Sequence, residues 1–371
     1  MNDMDEATGA ILDRFRFDPV VFAKLRVLLA DPAPGLSSGR LAGEVALPAP
    51  GDLVGLPGAD SAEGRSLAEV GREALARGEV GAIVLAGGMA TRFGGVVKAV
   101  VEVVPGQSFL RLKLADIERA AAAAANRVPI FLLTSFATSD VIRLALGDAV
   151  GSTTPVEILE QSVTLRLTGG GELFRDAAGR PSPCATGHGD LLPTLRSSGV
   201  LARFRQAGGR TLLVSNVDNL AATLDVRVLG AHLRGGRAVT VEIVAKEPGD
   251  RGGIPARVGG HLQIVEEFRL PEGFDGARVP YFNTNTFAFD AEAIDRDFDL
   301  DWFLVRRKVD GAETVQPERL LGQVTAHLPT QFLVVPRHGA EGRFLPVKDR
   351  DELRARMPEI ERLMRGPGIW R

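Results

Sequence analysis

The sequence predicts a doubly wound α/β fold, with helices on both faces of a mixed, mainly parallel sheet. From residue 81 onward, short apolar runs of strand length alternate with amphipathic stretches of helix length, the order that builds a parallel sheet. Several of these runs end directly in glycine-rich or polar clusters, and ligands of such sheets lie at the carboxyl ends of the strands. The 371 residues are enough for one large domain with an extension, or for two domains of about 150 residues each.

In chain order, residues 9–30 place apolar side chains at three- and four-residue steps and predict amphipathic helix. Residues 31–65 are rich in Pro, Gly and Ser and read as an irregular connection, and residues 66–80 as a helix. Residues 1–80 are therefore expected to be an N-terminal helical and irregular extension packed on a catalytic domain of residues 81–371. GAIVLA (81–86) is a buried-strand run, SFLRLKLADIERAAAAAA (108–125) is helical by propensity, and VPIFLLTS (128–135) is a second strand run. ATSDVIRLALGDA predicts a helix starting near Ser139 or Asp140, and PVEILEQ (155–161) and TLLVSNVDN (211–219) predict strands with polar ends. Residues 224–234 read as helix and AVTVEIVAK (238–246) as strand. GGHLQIVEEF, PYFNTNTFAFD and TQFLVVPRH follow as strands, the first two of them antiparallel candidates, and DRDELRARMPEIERLMR closes the chain as an amphipathic helix.

Composition narrows the function classes. The 44 basic and 47 acidic residues leave a formal charge of −3, which offers no basic field for general nucleic-acid binding. Cys184 is the single cysteine, which excludes an internal disulfide and a multi-cysteine zinc site. The acidic start MNDMDEATGAILDRF is unlike a signal peptide. No apolar run approaches the roughly 18 residues needed to span a bilayer. A soluble cytoplasmic protein without membrane or nucleic-acid partners is expected. Only six of the cations are lysines, Lys24, Lys98, Lys113, Lys246, Lys308 and Lys348. Where arginine is the default, each lysine marks a place where a compact point charge is used.

Five clusters carry chemistry. The loop Gly87-Gly88-Met89-Ala90-Thr91-Arg92-Phe93-Gly94-Gly95-Val96-Val97-Lys98 follows a strand run. Its glycines let backbone amides approach an anion, and Arg92 and Lys98 add charge. It matches neither the P-loop nor the dinucleotide fingerprint, and a structural glycine turn is the plainer alternative. Gly187-His188-Gly189-Asp190 offers a histidine for a phosphate or base, or simply caps the next helix. Asp218, in Ser215-Asn216-Val217-Asp218-Asn219 at the end of a strand run, is placed to hold Mg2+ against phosphates, or to form an Asx-turn. Asn283 and Asn285 lie within a strand pattern where Asn is poor material, so they serve sugar hydroxyls or mark a bulge. Lys348, in RFLPVK, is by itself an ordinary solvated lysine.

Together and in this order, the segments resemble the eukaryotic-type UTP–glucose-1-phosphate uridylyltransferases. LAGGMATRFGGVVKAVVEV, LLTSFATSD, ILEQS, ATGHGDLLPTLRSSGVL, LLVSNVDNLAATLD, HLQIVEEF, YFNTNTFAFD and RFLPVKDRDEL fall in family order over about residues 80–355. GHGD followed by SNVDNL is similar to the glucose branch rather than the N-acetylhexosamine branch. The resemblance implies a Rossmann-like, GT-A-like nucleotidyltransferase core. With the chain ending soon after Lys348, the family's C-terminal β-helix is not expected, nor the assembly surface it provides, so a monomer is expected.

Carried over by residue, the resemblance puts Leu85, Ala86, Gly87, Gly88, Gln161 and Gly187 at the nucleotide base, Gln161 as the uracil-binding glutamine. Lys98, Lys348, His188 and Arg92 fall at positions that would serve the phosphates and catalysis, and Asp218 at the Mg2+ ligand. Asn216, Gly253, Glu266 and Asn285 match the sugar-hydroxyl pocket. Departures are Ala90 for the third loop glycine, Val97 for the proline before the loop lysine, and Thr186 for a proline; they concern loop shape and bear on base choice.

The implied reaction is in-line attack of glucose 1-phosphate on the α-phosphorus of UTP, giving UDP-glucose and pyrophosphate. Lys98, Lys348, His188 and Mg2+ would supply the positive charge. Another sugar or cyclitol 1-phosphate, another nucleoside triphosphate, or a nucleotide-sugar binder without turnover are the competing readings. A glycosyltransferase is disfavoured because no Asp-x-Asp lies near SNVDN.

Overall fold

The computed structural model describes residues 5–30, 40–41, 43–90, 93–147 and 155–365. Eight strands make its main sheet: β1 (Leu53–Gly55), β2 (Val80–Leu85), β3 (Ile130–Thr134), β4 (Val156–Glu160), β5 (Thr211–Asn216), β6 (Val239–Ala245), β7 (Tyr281–Asp290) and β8 (Thr330–Val334). They lie in the order β1-β8-β6-β7-β5-β2-β3-β4. Every neighbouring pair is parallel except the two that involve β7. The expected doubly wound, mainly parallel sheet is therefore present.

The helices are α1 (Glu6–Arg14), α2 (Pro19–Ala30), α3 (Ala62–Ala76), α4 (Phe109–Ala123), α5 (Ser139–Leu146), α6 (Leu191–Ser197), α7 (Val200–Gln206), α8 (Val226–Gly235) and α9 (Arg350–Arg365). Side chains alternate across a strand, and here both faces are covered. Val80, Ala82 and Val84 of β2 join one core with residues of α3, α4, α5, α8 and α9. Ile83 and Leu85 join a second core with α6 and α7. Burial on both faces is why these strands read as unbroken apolar runs.

Three segments differ from expectation. Residues 9–30 form two helices, because Asp18 Oδ1 accepts from the N–H groups of Val20 and Val21 (2.8 and 2.9 Å) and starts α2 at Pro19. The described residues before 81 pack as part of the same unit as the main sheet. They provide α3 in the core, β1 at the sheet edge, and Val45–Ala46, which pairs with Ile254–Val258 in a small sheet completed by His261–Val265. Phe303–Val309 and Ala312–Glu318 form an unexpected hairpin, turning at Asp310 (φ 49°) and Gly311 (φ 79°). No helix among the described residues is long and apolar enough to cross a membrane.

Candidate functional site

Most of the described site residues lie at one end of the sheet, where the parallel strands β2, β3, β4 and β5 finish. Leu85 ends β2, and Ala86 N–H donates to Leu133 O (2.8 Å), so the chain leaves the sheet only at Gly87. A Cβ on Gly87 would stand 2.2 Å from Gln161 Nε2; only glycine lets the Gln161 amide lie against this backbone. Ser135, just past β3, donates from its hydroxyl to Gly87 O (2.9 Å). Gln161, just past β4, is held by N–H donation to Thr134 O (3.0 Å). Its side-chain Oε1 is buried and has no hydrogen-bond partner. A buried orphan acceptor is costly, so it calls for a donor from a ligand. Gly88 O accepts from Lys98 N–H (3.3 Å), closing the loop. Arg92 lies outside the described residues.

The GHGD turn is wrapped by residues 318–321. Gly187 has φ 87°, and a Cβ there would meet Arg319 O at 2.5 Å. Gly189 N–H donates to Arg319 O (2.9 Å), and Arg319 N–H donates to Thr186 O (2.7 Å). Asp190, almost fully buried, accepts from Ser162 N–H (2.5 Å), Thr194 Oγ1 (3.2 Å) and the Arg319 guanidinium. It ties the turn to the strand end that carries Gln161 rather than merely capping α6. His188 Nδ1 accepts from Leu321 N–H (3.1 Å), so in the neutral ring the proton sits on Nε2. Burial pushes the His188 imidazole down to about 4. In the chain without substrate the ring is thus held neutral, with the Nε2–H left as its donor.

Lys98 and Asp218 form an ion pair, both side chains less than a fifth exposed. Asp218 lies two residues beyond β5 and offers a hard oxygen donor. Among the described residues no cluster of three or more His, Cys, Asp or Glu could enclose a metal. One partly exposed carboxylate suits Mg2+, which keeps several waters and shares phosphate oxygens. Asn219, the next residue, clamps the Lys348 segment to this loop. Its Nδ2 donates to Arg343 O (3.2 Å), its Oδ1 accepts from Leu345 N–H (2.8 Å), and it bridges Pro346. Lys348 itself is exposed, two residues before α9, with its N–H on Glu352 Oε2 (2.6 Å).

The four expected sugar residues form a continuous wall. Asn285 Nδ2 donates to Asn216 Oδ1 (2.9 Å), while Asn285 Oδ1 is buried without a partner. Asn285 has φ 58°, next to a register break in the β6–β7 pairing, and its N–H donates to Asn283 Oδ1 (2.8 Å). Asn283 N–H donates in turn to Gly253 O (2.8 Å), and a Cβ on Gly253 would meet Glu266 Oε1 at 2.8 Å. Burial, then repulsion by Glu267, pushes the Glu266 carboxyl up to about 7. The strand asparagines mark a local irregularity in β7, one of the two readings of this segment.

Two sets of buried polar groups lie beneath the site. Lys113 Nζ donates to Ala222 O (2.7 Å) and Ser215 Oγ (3.3 Å), while Asp116 Oδ2 accepts from Leu224 N–H (2.7 Å). Helix α4 thus grips both ends of the loop that carries Asp218, and burial pushes the Lys113 amine down to about 8. Arg343 pairs in two bonds with Glu242 (both 2.7 Å), and both are buried. The available signal was Lys113 and Asp116 sharing one helical stripe with Phe109, Leu112, Ile117 and Ala120.

The family model for UTP–glucose-1-phosphate uridylyltransferase matches residues 63–365. The enzyme of that name from Astragalus penduliflorus is 28% identical over 285 residues, 72% of this chain and 60% of that protein. The one from Saccharomyces cerevisiae is 28% identical over 309 residues, 76% of this chain and 60% of that protein. The chain thus spans about 60% of the length of these curated relatives. A UDP-glucose pyrophosphorylase mutant from Leishmania major, solved with UDP-glucose, superposes with TM-score 0.72 at 21% identity, covering 95% of this chain and 79% of that one. A UDP-glucose phosphorylase from Trypanosoma brucei superposes with TM-score 0.71 at 23% identity, covering 90% and 73%. These superpositions show the shared fold, and the family match takes in the glycine loop, GHGD, SNVDN, the strand asparagines and RFLPVK. The chain belongs to the UTP–glucose-1-phosphate uridylyltransferase family.

Proposed function

We propose that the chain transfers the uridylyl group of UTP to glucose 1-phosphate, releasing pyrophosphate and forming UDP-glucose. The observation that carries this reading is the convergence, at one sheet end, of three walls of different chemistry. They are Gln161 with its unpartnered amide oxygen, the Lys98–Asp218 pair, and the Asn216–Asn285–Glu266 wall. Uracil presents an N3–H donor that answers the orphan acceptor of Gln161, whereas cytosine presents an acceptor there. The Leishmania relative solved with UDP-glucose supports the same pairing of base and sugar.

In this reading an ionised oxygen of glucose 1-phosphate attacks the α-phosphorus in line and pyrophosphate leaves, so no general base is needed. This chain's task is to orient two polyanions and offset their charge. Lys98 sits on the loop that would carry the nucleotide phosphates, and Lys348 enters from the segment clamped by Asn219. His188 donates a hydrogen bond from Nε2 without adding charge. Asp218 would hold Mg2+, which when bound neutralises phosphate oxygens. Asn216, Asn285 and Glu266 would receive the sugar hydroxyls. A cytoplasmic location and a monomeric state belong to the same proposal.

The test is pyrophosphate release from a panel of nucleoside triphosphates and sugar 1-phosphates with Mg2+. UTP with glucose 1-phosphate should give the highest kcat/KM. A higher value for another pair would replace the substrate assignment, and binding without pyrophosphate release would make the chain a nucleotide-sugar binder.

A further inference from the structure

The corner between α1 and α2 lies in the part of the chain that no motif explains. Yet the residues flanking Gln161 at the end of β4, Glu160, Ser162 and Val163, are held from there or through its partners. Phe15 O accepts from Val163 N–H (2.9 Å), and the Phe15 ring is buried edge-on against Phe136. Arg14 reaches Asp140 with both terminal nitrogens (2.7 and 3.1 Å) and Glu160 Oε1 (2.8 Å), and Ser139 also donates to that Oε1. Arg16, in the left-handed region at φ 53°, sends its guanidinium to Glu160 O, Thr194 Oγ1 (3.2 Å) and Ser197 Oγ (2.9 Å). Thr194 passes the contact to Asp190, whose other bonds fix Ser162 N–H and Arg319. A non-glycine residue in the left-handed region costs free energy and persists where surrounding contacts demand it.

The result is a clamp around one residue. Main chain before and after Gln161 is fixed, its own N–H is on Thr134 O, and its side-chain Oε1 is buried without a partner. A planar guanidinium with a fixed fork of donors suits a three-point contact of this kind. Hydrogen bonds read a base only when the reading group is held within a fraction of an ångström.

We propose that the Arg14–Phe15–Arg16 corner is the base-positioning element of the nucleotide site, with Arg16 a positioning residue that sets UTP-over-CTP selectivity through Gln161. This rests on Gln161 facing the base, as in the proposed function. The test is equilibrium binding of UTP and of CTP, without sugar phosphate, to the full chain and to Arg16→Met, Arg16→Lys and Thr194→Val. Arg16→Met should weaken UTP binding about tenfold, the worth of one hydrogen bond to the base, and leave CTP binding unchanged. Arg16→Lys should recover part of the UTP affinity, and Thr194→Val should shift it in the same direction by less. In turnover the same variants should raise KM for UTP and leave KM for glucose 1-phosphate as it was.

Equal weakening of UTP and CTP, or none, in folded Arg16→Met and Thr194→Val would overturn the assignment. If the parent chain binds UTP over CTP but releases no pyrophosphate, the proposed reaction fails and the positioning role is judged on binding alone. A parent that does not prefer UTP overturns both.

Discussion

Glu266 gives a prediction whose size and sign both come from the structure. Burial beside Glu267 holds its carboxyl at about 7 instead of 4.5. Below about pH 4.5 the group is protonated in the folded and the unfolded chain and makes no difference. As pH rises toward 7 the unfolded chain ionises and the folded chain does not. Stability therefore falls across that window and levels off above it. At 1.36 kcal/mol per pH unit, the loss amounts to about 3 kcal/mol. Glu266→Gln keeps the shape and cannot ionise. It should match the parent near pH 4 and exceed it by up to about 3 kcal/mol near pH 8. Urea unfolding followed by circular dichroism at about pH 4, 6 and 8 measures the difference. Parallel stability profiles for the two proteins would refute the reasoning. Near pH 8, where Glu266 is ionised, the same variant should bind glucose 1-phosphate more weakly, because an amide accepts hydroxyl hydrogen bonds less strongly than a carboxylate.

Other perturbations separate the parts of the site. Lys98→Ala and Asp218→Ala should each lower kcat by about a hundredfold or more with circular dichroism unchanged; turnover near the parent level would reject their roles. Gly253→Ala places a Cβ 2.4 Å from Ile264 Cγ2 and 2.8 Å from Glu266 Oε1, so KM for the sugar phosphate should rise while KM for UTP holds. Arg343→Met leaves Glu242 buried without its partner and should cost about 3–5 kcal/mol in denaturant unfolding. A loss below about 1 kcal/mol would show that the Arg343–Glu242 pair does not hold these segments together.

Much of this architecture is legible from residues alone, because buried parallel strands write themselves as apolar runs. GAIVLA, VPIFLLTS and TLLVSNVDN fall on β2, β3 and β5, with the polar ends at the carboxyl edge. The hairpin at 303–318 was hidden by Arg306, Arg307 and Lys308, which are exposed and break the apolar pattern. Its Asp310-Gly311 turn was the readable sign. Likewise Asp18-Pro19 announced the break between α1 and α2. Lys113, Asp190 and Arg319 act by gripping segments distant in sequence, and no local pattern encodes such a partner. Charge on His188 could not be judged from its identity, since burial and the Leu321 N–H decide it.

The reversed direction of β7 sorts the site into parts that differ in how they can change. Residues Gly87, Gly88 and Gln161 lie in connections just beyond strand ends, where insertions and deletions are tolerated. Asn283 and Asn285 lie inside a strand that pairs with β6 at Asn283 and with both β5 and β6 from Phe287 onward. A one-residue slip there would turn every side chain to the opposite face. Divergence of such a chain toward another base can proceed by reshaping loops. Divergence toward another sugar has to proceed by substitution in place, at unchanged length, within a strand the whole sheet holds in register.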